Sequence, residues 1–416
     1  MMKENENSLL FRFINVLMWG YLAIQLSLRF AMACRELLRN NGWGVTEYYI
    51  NYQGGYVRRG LIGEIIFQLT TLVPDIDPRW YIAGICLVSI VLVVVFMLKH
   101  FRKENLCWWV LPLSVCLMGA FEWIRKDFLC VVLVISIFKA YYGMKNIWRR
   151  YIVVMLLLGV GLNVHECLFF MCVPFLMWSI WREDSLNCVC RWLSLLTPVT
   201  LMVIVCLCKG DADTASRIWK SWGVIFPEYS SSSPACSVAA IGWDTLYAVK
   251  YHLESNFLTR SGIFYGWYSK PLAWCAIFYM TVNVLYCRRD YISVRESAEV
   301  RKMLSLLIFQ FVALLPMFTV LSCDSTRICF YWLVSSFSIY FVSGSFLNDN
   351  QWPSFYVSFT QKLQGRLFTK RSYVIGIVLM LFCGMSTICT DVKDAFYNSV
   401  IGRYFSVAEK LIEILD

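Results

Sequence analysis

Charge is what this sequence has least of. Charged residues make up 16% of the 416, hydrophobic residues 59%, and the mean hydropathy is +0.58. No soluble domain of this size can hide that much apolar surface, so a polytopic membrane protein is implied. Internal repeats, low-complexity tracts and a soluble domain are lacking too, and residues 1–416 read as a single transmembrane domain. Cysteine is plentiful at 18, but zinc-site spacing is missing: Cys188/Cys190 and Cys206/Cys208 stand too close together. Cys86, Cys116, Cys130, Cys172, Cys206 and Cys383 lie inside apolar runs, where a thiol behaves as a small hydrophobe. The metalloprotease pattern His-Glu-x-x-His is absent, because Leu168 and Phe169 follow His165, Glu166 and Cys167. A formal charge of +10 suits anionic lipid or an anionic substrate and does not point to nucleic acid.

Apolar runs cover 9–33, 80–99, 107–121, 128–144, 151–165, 167–181, 192–208, 271–287, 303–321, 329–346 and 373–390. By the twenty-residue criterion they predict an all-α protein with about eleven transmembrane helices. Ala31, Met32 and Ala33 before Cys34 mimic a signal-peptidase site, but the apolar stretch from Leu9 is too long for a signal core, so an uncleaved anchor is expected. With the N-terminus inside, basic clusters such as Lys145/Arg149/Arg150 and Arg288/Arg289/Arg295 fall on the cytoplasmic side. That orientation gathers the mixed-charge turns on the opposite, outer face, and this asymmetry is the strongest functional signal in the chain.

The organising stretch is 48–64. It lies in a first outer loop, 34–79, and leads into an amphipathic helix expected over 61–73, with Leu61, Ile62, Ile65, Ile66, Leu69 and Leu72 apolar and Glu64, Gln68 and Thr71 polar. Gly54 and Gly55 permit a sharp turn or a close approach to a ligand. Arg58 and Arg59 offer planar forks for phosphate or carboxylate; the plainer reading is that they anchor the helix to headgroups. Three further turns share this face: Glu122 to Asp127, Asn163 to Glu166, and Cys323 to Arg327. Each has a bland alternative. Glu122 with Arg125 or Lys126, and Asp324 with Arg327, have the spacing of local helical pairs, and His165 has that of a buried structural histidine.

Two Asp-x-Asp triplets, Asp75/Asp77 and Asp211/Asp213, could hold Mg²⁺ or Mn²⁺ against a diphosphate, though Pro74 and Pro78 make the first read as an ordinary turn. No metal or other cofactor is assigned otherwise. The long outer loop 209–270 is rich in aromatics, among them Trp219, Trp222 and Trp243, whose rings suit sugar faces and membrane interfaces alike. Its middle, Tyr229 to Pro234, reads as a flexible break, so the loop is expected to act as a lid.

The Gly-Gly-x-x-Arg-Arg-Gly turn, the Arg-Lys-Asp turn, the His-Glu pair and Asp-x-x-Arg together resemble a pattern in membrane proteins of bacterial surface-polysaccharide loci, similar to Wzy-type repeat-unit polymerases and the EpsG-like family. The resemblance spans roughly 48 to 330, and this chain departs from an Asp-x-Gly-Arg form at Asp324 to Arg327. It implies a multi-pass protein of the bacterial cytoplasmic (inner) membrane, its site facing the periplasm or cell exterior. It further implies transfer of a glycan (O-antigen, capsule or exopolysaccharide units) from undecaprenyl diphosphate to a hydroxyl of another lipid-linked unit. Lipid-linked oligosaccharide, membrane lipids and other polysaccharide-assembly proteins are the partners implied.

The residue types fit such chemistry on their own account. Fixed arginines stabilise a departing diphosphate, and Arg58, Arg59, Arg125 and Arg327 are the candidates. His165, Glu166, Glu64 or Asp127 could take the proton of the attacking hydroxyl, with the His165–Glu166 pair favoured because partial burial raises a carboxylate's pKa. Gly54, Gly55, Trp219, Trp222, Trp243 and Asp324 complete the expected substrate surface. Two alternatives stay open. One is a GT-C-like transferase using a polyprenyl-phosphate sugar and an Asp-x-Asp metal site. The other is a lipid-linked glycan flippase, disfavoured because the spans hold few interior charges apart from Arg12, Arg29 and Lys139.

Overall fold

The computed structural model describes residues 9–101, 123–183, 186–257, 274–275, 278–279, 297–343, 352–383, 396–397 and 399–415. Every regular element among the described residues is helical, and there is no strand. The expected span 107–121, nearly all of 271–287, Glu122 and residues 258–270 of the long loop lie outside the described residues.

The long first helix α1 (Leu9–Arg39) is followed by the short α2 (Trp43–Glu47), α3 (Gly60–Leu72) and α4 (Pro78–Phe101). After Trp123 come α5 (Asp127–Gly143), α6 (Ile147–Val164), α7 (Cys167–Trp181) and α8 (Cys188–Leu207). The segment that follows holds α9 (Ala212–Ser221), α10 (Cys236–Ala239) and α11 (Thr245–Phe257). The rest is α12 (Ala298–Ala313), α13 (Ser325–Ser343), α14 (Ser354–Leu367), α15 (Lys370–Phe382) and α16 (Val400–Leu415).

Among the described residues, four helices are long and apolar enough to cross a membrane: Val16–Arg39 of α1, Pro78–His100 of α4, α6 and α8. Their outward faces are apolar. Leu87, Val88, Val91, Leu92, Val95 and Leu98 form a helical stripe on α4 that is about half exposed or more. Two further apolar helices, α5 and α7, are interior and shorter. The 15 residues of α7 span about 22 Å at 1.5 Å per residue, less than the roughly 30 Å of a hydrocarbon core. α5 is apolar on all sides and packs against α4, α6, α7 and α13. Phe128, Val131, Val134 and Phe138 on α5, Met171 and Phe175 on α7, and Phe330 and Trp332 on α13 form the centre of the main core.

A second, smaller core lies beyond the N-terminal ends of α5, α7 and α13. Its parts are the stretch 45–57 and the segment after α8, joined through Tyr48, Tyr49, Ile50, Ile218, Trp219 and Trp222. Here the structure corrects the expected lid. Trp222 is fully buried, donates from Nε1 to the Tyr49 carbonyl at 2.7 Å, and packs on Tyr49 and Phe67. Trp219 stacks on Tyr229 with ring centroids 4.0 Å apart, and Tyr229 donates to the Asn40 carbonyl at 2.8 Å. Ser237 Oγ donates to the Trp43 carbonyl at 2.7 Å, and Asn51 Nδ2 to Ser221 Oγ at 3.0 Å. Through residue 243 the segment is therefore a fixed cap. Trp219 and Trp222 are core residues of it and not faces for a sugar. Gly54 is likewise a packing position, since a Cβ there would meet the Thr214 carbonyl at 2.7 Å.

The expected amphipathic helix 61–73 is α3, but it buries the face Gly60, Gly63, Ile66 and Thr70. Gly63 is required because a Cβ would collide with the Ile50 carbonyl. Ile65, Leu69 and Leu72 face outward instead. Because α5 runs from the cap to its far end at Gly143, the two ends are expected on opposite sides of the membrane. Cysteines replacing the exposed Asp213 and Lys145, in a background lacking reactive native thiols, should differ towards an impermeant maleimide on intact cells. The first should label and the second should not; labelling of both from outside would refute this arrangement.

Candidate functional site

Between the two cores lies a cluster of buried charge, and helix ends supply it. Arg59 is the residue before α3 and sits in the left-handed region at φ 66°. A side chain there costs about 1–2 kcal/mol, a strain held because the Arg58 N–H is tied to the Cys208 carbonyl at 2.9 Å. Lys126 precedes α5 and Asp127 opens it. His165 ends α6 in extended backbone and Glu166 precedes α7. Arg327 lies in the first turn of α13, and Glu47 ends the short α2. The positive N-terminal ends of α3, α5, α7 and α13 thus converge here, which favours anions.

Two linked subclusters result. In the outer one, Glu166 accepts from Arg59 Nε at 2.7 Å, from Arg59 Nη2, and from Arg58 Nη1 at 3.3 Å. The side chains of Arg58 and Arg59 keep 31% and 25% exposure, so this half is reachable from outside. In the deep one, Arg327 donates to Asp127 Oδ1 from Nε at 2.8 Å and has Nη2 3.4 Å from Glu47 Oε1. Tyr331 also donates to Asp127. His165 joins the halves: Nε2 is 3.2 Å from Glu47 Oε1, and Nδ1 is 3.4 Å from Glu166 Oε2. Lys126, with no solvent exposure, donates to the Arg59 carbonyl at 2.7 Å and so pins the strained residue from behind.

Electrostatics follow from this pairing. Burial pushes the Glu166 carboxyl up, but Arg59, His165 and Arg58 overcome that and hold it well below the ordinary range. The expectation of a Glu166 pKa raised towards neutrality is therefore overturned; burial with two guanidiniums differs from burial in oil. Glu47 behaves the same way, with Arg327, His165 and Lys126 outweighing burial. Burial brings Lys126 down to about 8. His252 on α11 is lowered by burial and then by Arg59 and Arg58, so its imidazole feels the same pocket. Buried atoms of the cluster that lack a hydrogen-bond partner among the described residues include Glu47 Oε2, Asp127 Oδ2 and Arg58 Nε.

Of the residues singled out by sequence, the structure gathers Arg58, Arg59, Asp127, His165, Glu166 and Arg327 into one cluster. Others stand apart. Glu64 accepts from the Tyr52 N–H at 2.9 Å and from Gln53 Nε2 at 3.0 Å, fixing the loop ahead of α3. Asp324 forms no local pair with Arg327, which reaches across to Asp127; the Asp324 carbonyl instead accepts the Ile328 N–H at 3.1 Å. Trp243 packs edge-on against Trp43, Tyr247 and Tyr251. Gly55, at φ 115°, faces open space. Arg125 lies on the same turn as Lys126, its carbonyl 3.9 Å from Cys86 Sγ. Asp211 caps α9 through the Thr214 N–H at 2.8 Å, Asp213 pairs with Arg217 at 3.3 Å, and Asp77 pairs with Arg79. The described residues contain no group of three or more acidic, histidine or cysteine side chains able to hold a metal ion.

Glu47, Tyr331 and His252 belong to the site or its rim, and sequence reading missed them. Glu47 sits in a five-residue helix with no periodicity to mark it, one position before the stretch that drew notice. Tyr331 offered a signal, being one turn after Arg327 on the same helix face. Tyr52 and Tyr56 form the aromatic surface at the mouth: their rings are 5.3 Å apart, Tyr56 is 48% exposed, and its hydroxyl donates to Asn163.

The site thus belongs to an all-helical protein of membrane character with a paired arginine–carboxylate cluster at one end of its bundle. The chain matches no protein-family model, no curated protein and no solved structure.

Lys126 gives the cluster a pH signature. Its folded pKa of about 8 lies below the unfolded value of roughly 10.4. Between them the unfolded chain binds the extra proton, so this residue's contribution makes stability rise with pH over that window, by up to about 3 kcal/mol. Melting temperatures of the purified protein should therefore increase from pH 7.5 to 9.5 relative to Lys126→Met, whose curve lacks this component. Parallel curves for the two proteins would contradict it.

Proposed function

We propose that this protein is a membrane glycosyltransferase of the polysaccharide-polymerase type, moving a glycan from a polyprenyl diphosphate onto a hydroxyl of a second lipid-linked unit. The architecture that goes with this reading has about eleven spans by the twenty-residue criterion, a GT-C-like arrangement with interfacial helices, and the cluster on the outer leaflet of a bacterial inner membrane. One observation carries it: Arg58 and Arg59 converge on a single carboxylate at the reachable edge of a buried, N-terminus-lined site. Paired forks of that kind suit the oxygens of a diphosphate, whose charge grows as the glycosidic bond breaks. In a site shielded from water such donors stabilise the developing charge far more than on an open surface.

The remaining residues divide the work by depth. Asp127 Oδ2 keeps a free lone pair in the deep half, where it can accept the proton of the attacking hydroxyl. Arg327 and Tyr331 fix Asp127, and His165 fixes Glu47 beside the outer half. Tyr52 and Tyr56 offer ring faces to a sugar at the mouth. The exposed Ile65, Leu69 and Leu72 of α3 put an apolar surface next to the arginines, where a polyprenyl tail can lie.

Lysine keeps the charge of arginine but loses the fork. Losing one oriented donor in such a site costs on the order of 3 kcal/mol, about a hundredfold in rate. Arg59→Lys or Arg58→Lys should therefore abolish long-chain surface glycan in cells while the protein still accumulates in the membrane. Polymer of normal length and amount from both variants and from the double variant would reduce this pair to a headgroup anchor and overturn the reading.

A further inference from the structure

The outer arginines are engaged within the chain. Both are turned onto Glu166, an anion that the chain itself supplies from the N-terminal end of α7. Glu166 does not use them up. Its two oxygens engage three N–H contacts, while Arg58 Nε is buried with no partner among the described residues. Two guanidinium forks carry more donors than one carboxylate can accept. The outer arginines therefore keep donor capacity beyond what Glu166 takes up.

We propose that Glu166 is an internal stand-in for a ligand's phosphates, and that a diphosphate enters by displacing the Glu166 carboxylate from Arg58 and Arg59. The inference rests on the transferase reading for the identity of the ligand, but not for the exchange itself. Arg59 needs no backbone change to switch partners, because its left-handed turn is held by Lys126 behind it.

Exchange makes the site selective. A phospholipid phosphodiester carries one negative charge, so replacing Glu166 with it gains little Coulomb energy and leaves a carboxylate to be re-solvated. A diphosphate brings at least two charges and oxygens enough for the idle Arg58 donor. The arginines are thereby kept from the monophosphate headgroups that surround the protein in vast excess, and yield to the diphosphate.

Titration calorimetry on the full-length purified protein tests this with inorganic pyrophosphate, using inorganic phosphate as the comparison. The wild type should prefer pyrophosphate. Glu166→Gln, which removes the competing charge, should bind pyrophosphate roughly ten- to a hundredfold more tightly, the size of one or two charged hydrogen bonds, and should prefer it less strongly over phosphate. Arg59→Lys placed on Glu166→Gln should cancel the gain, which locates the binding. Glu166→Asp, which keeps the charge but withdraws it by one methylene, should move affinity in the same direction by less, and it serves if the glutamine variant does not accumulate. Unchanged or weaker pyrophosphate binding in the glutamine and aspartate variants would mean that Glu166 merely positions the arginines, and would overturn the exchange. That result leaves the glycan reading standing. Conversely, the predicted tightening alongside normal glycan in the arginine-to-lysine cells would keep the exchange site and sink the transferase.

Discussion

The guanidinium of Arg327 is the tie on which the arrangement depends. It joins Asp127 of the bundle to Glu47 of the cap, and it is only 11% exposed. Removing one partner of such a pair strands the others in a low dielectric, which typically costs about 3–5 kcal/mol. The two apolar cores could in principle slide past each other, because hydrophobic contact is not directional. The charges cannot. Their geometry fixes how the cap sits on the ends of α5, α7 and α13, and hence where Arg58 and Arg59 point.

That constraint explains the lengths of the inner helices. A span in contact with lipid must be long enough to bury its backbone across the hydrocarbon, as α4 and α8 are. A helix surrounded by protein has no such requirement. α5 and α7 stop early, and their N-terminal ends, with Asp127 and Glu166, lie in a recess closed above by residues 45–57 and the segment after α8. The short helices and the buried cluster are one feature: ending the helices there creates positive termini, and the termini favour the carboxylates that the arginines then hold.

How much of this the sequence discloses depends on the range of the interaction involved. The run 167–181 is α7 to the residue, since a buried helix between two polar turns is marked at both ends by composition alone. The His165–Glu166 turn was legible because charge interrupting an apolar run is costly and needs a reason. Pairings were not legible. Asp324 and Arg327 have helical pair spacing, yet Arg327 turns to Asp127, 200 positions away. Trp219 and Trp222 were misread because an amphipathic ring serves a core as well as it serves a ligand surface; only the Tyr49 carbonyl and the Tyr229 ring decide between them. Glu47 is the instructive omission. It has no periodic context, and its role exists only once three distant helix ends have been brought to it.

A fixed cap also limits how a ligand can reach the charges. Trp222, Tyr229 and Ser237 bind the segment after α8 to residues 40–49 through buried or partly buried hydrogen bonds, and lifting it would break all of them together. Opening by way of the cap is thus the expensive route. The cheap one runs past Tyr56 and Arg58, which are already partly exposed, beside the outward apolar face of α3. In the proposed reaction, a lipid-linked donor taking that route keeps its tail against Ile65, Leu69 and Leu72 while its diphosphate meets the arginines. The second unit's hydroxyl must then come within reach of Asp127, deeper in the same recess. In that reaction such a site, polar inside, apolar along one flank and rigid on top, would take the headgroup sideways from the bilayer with no movement of the cap.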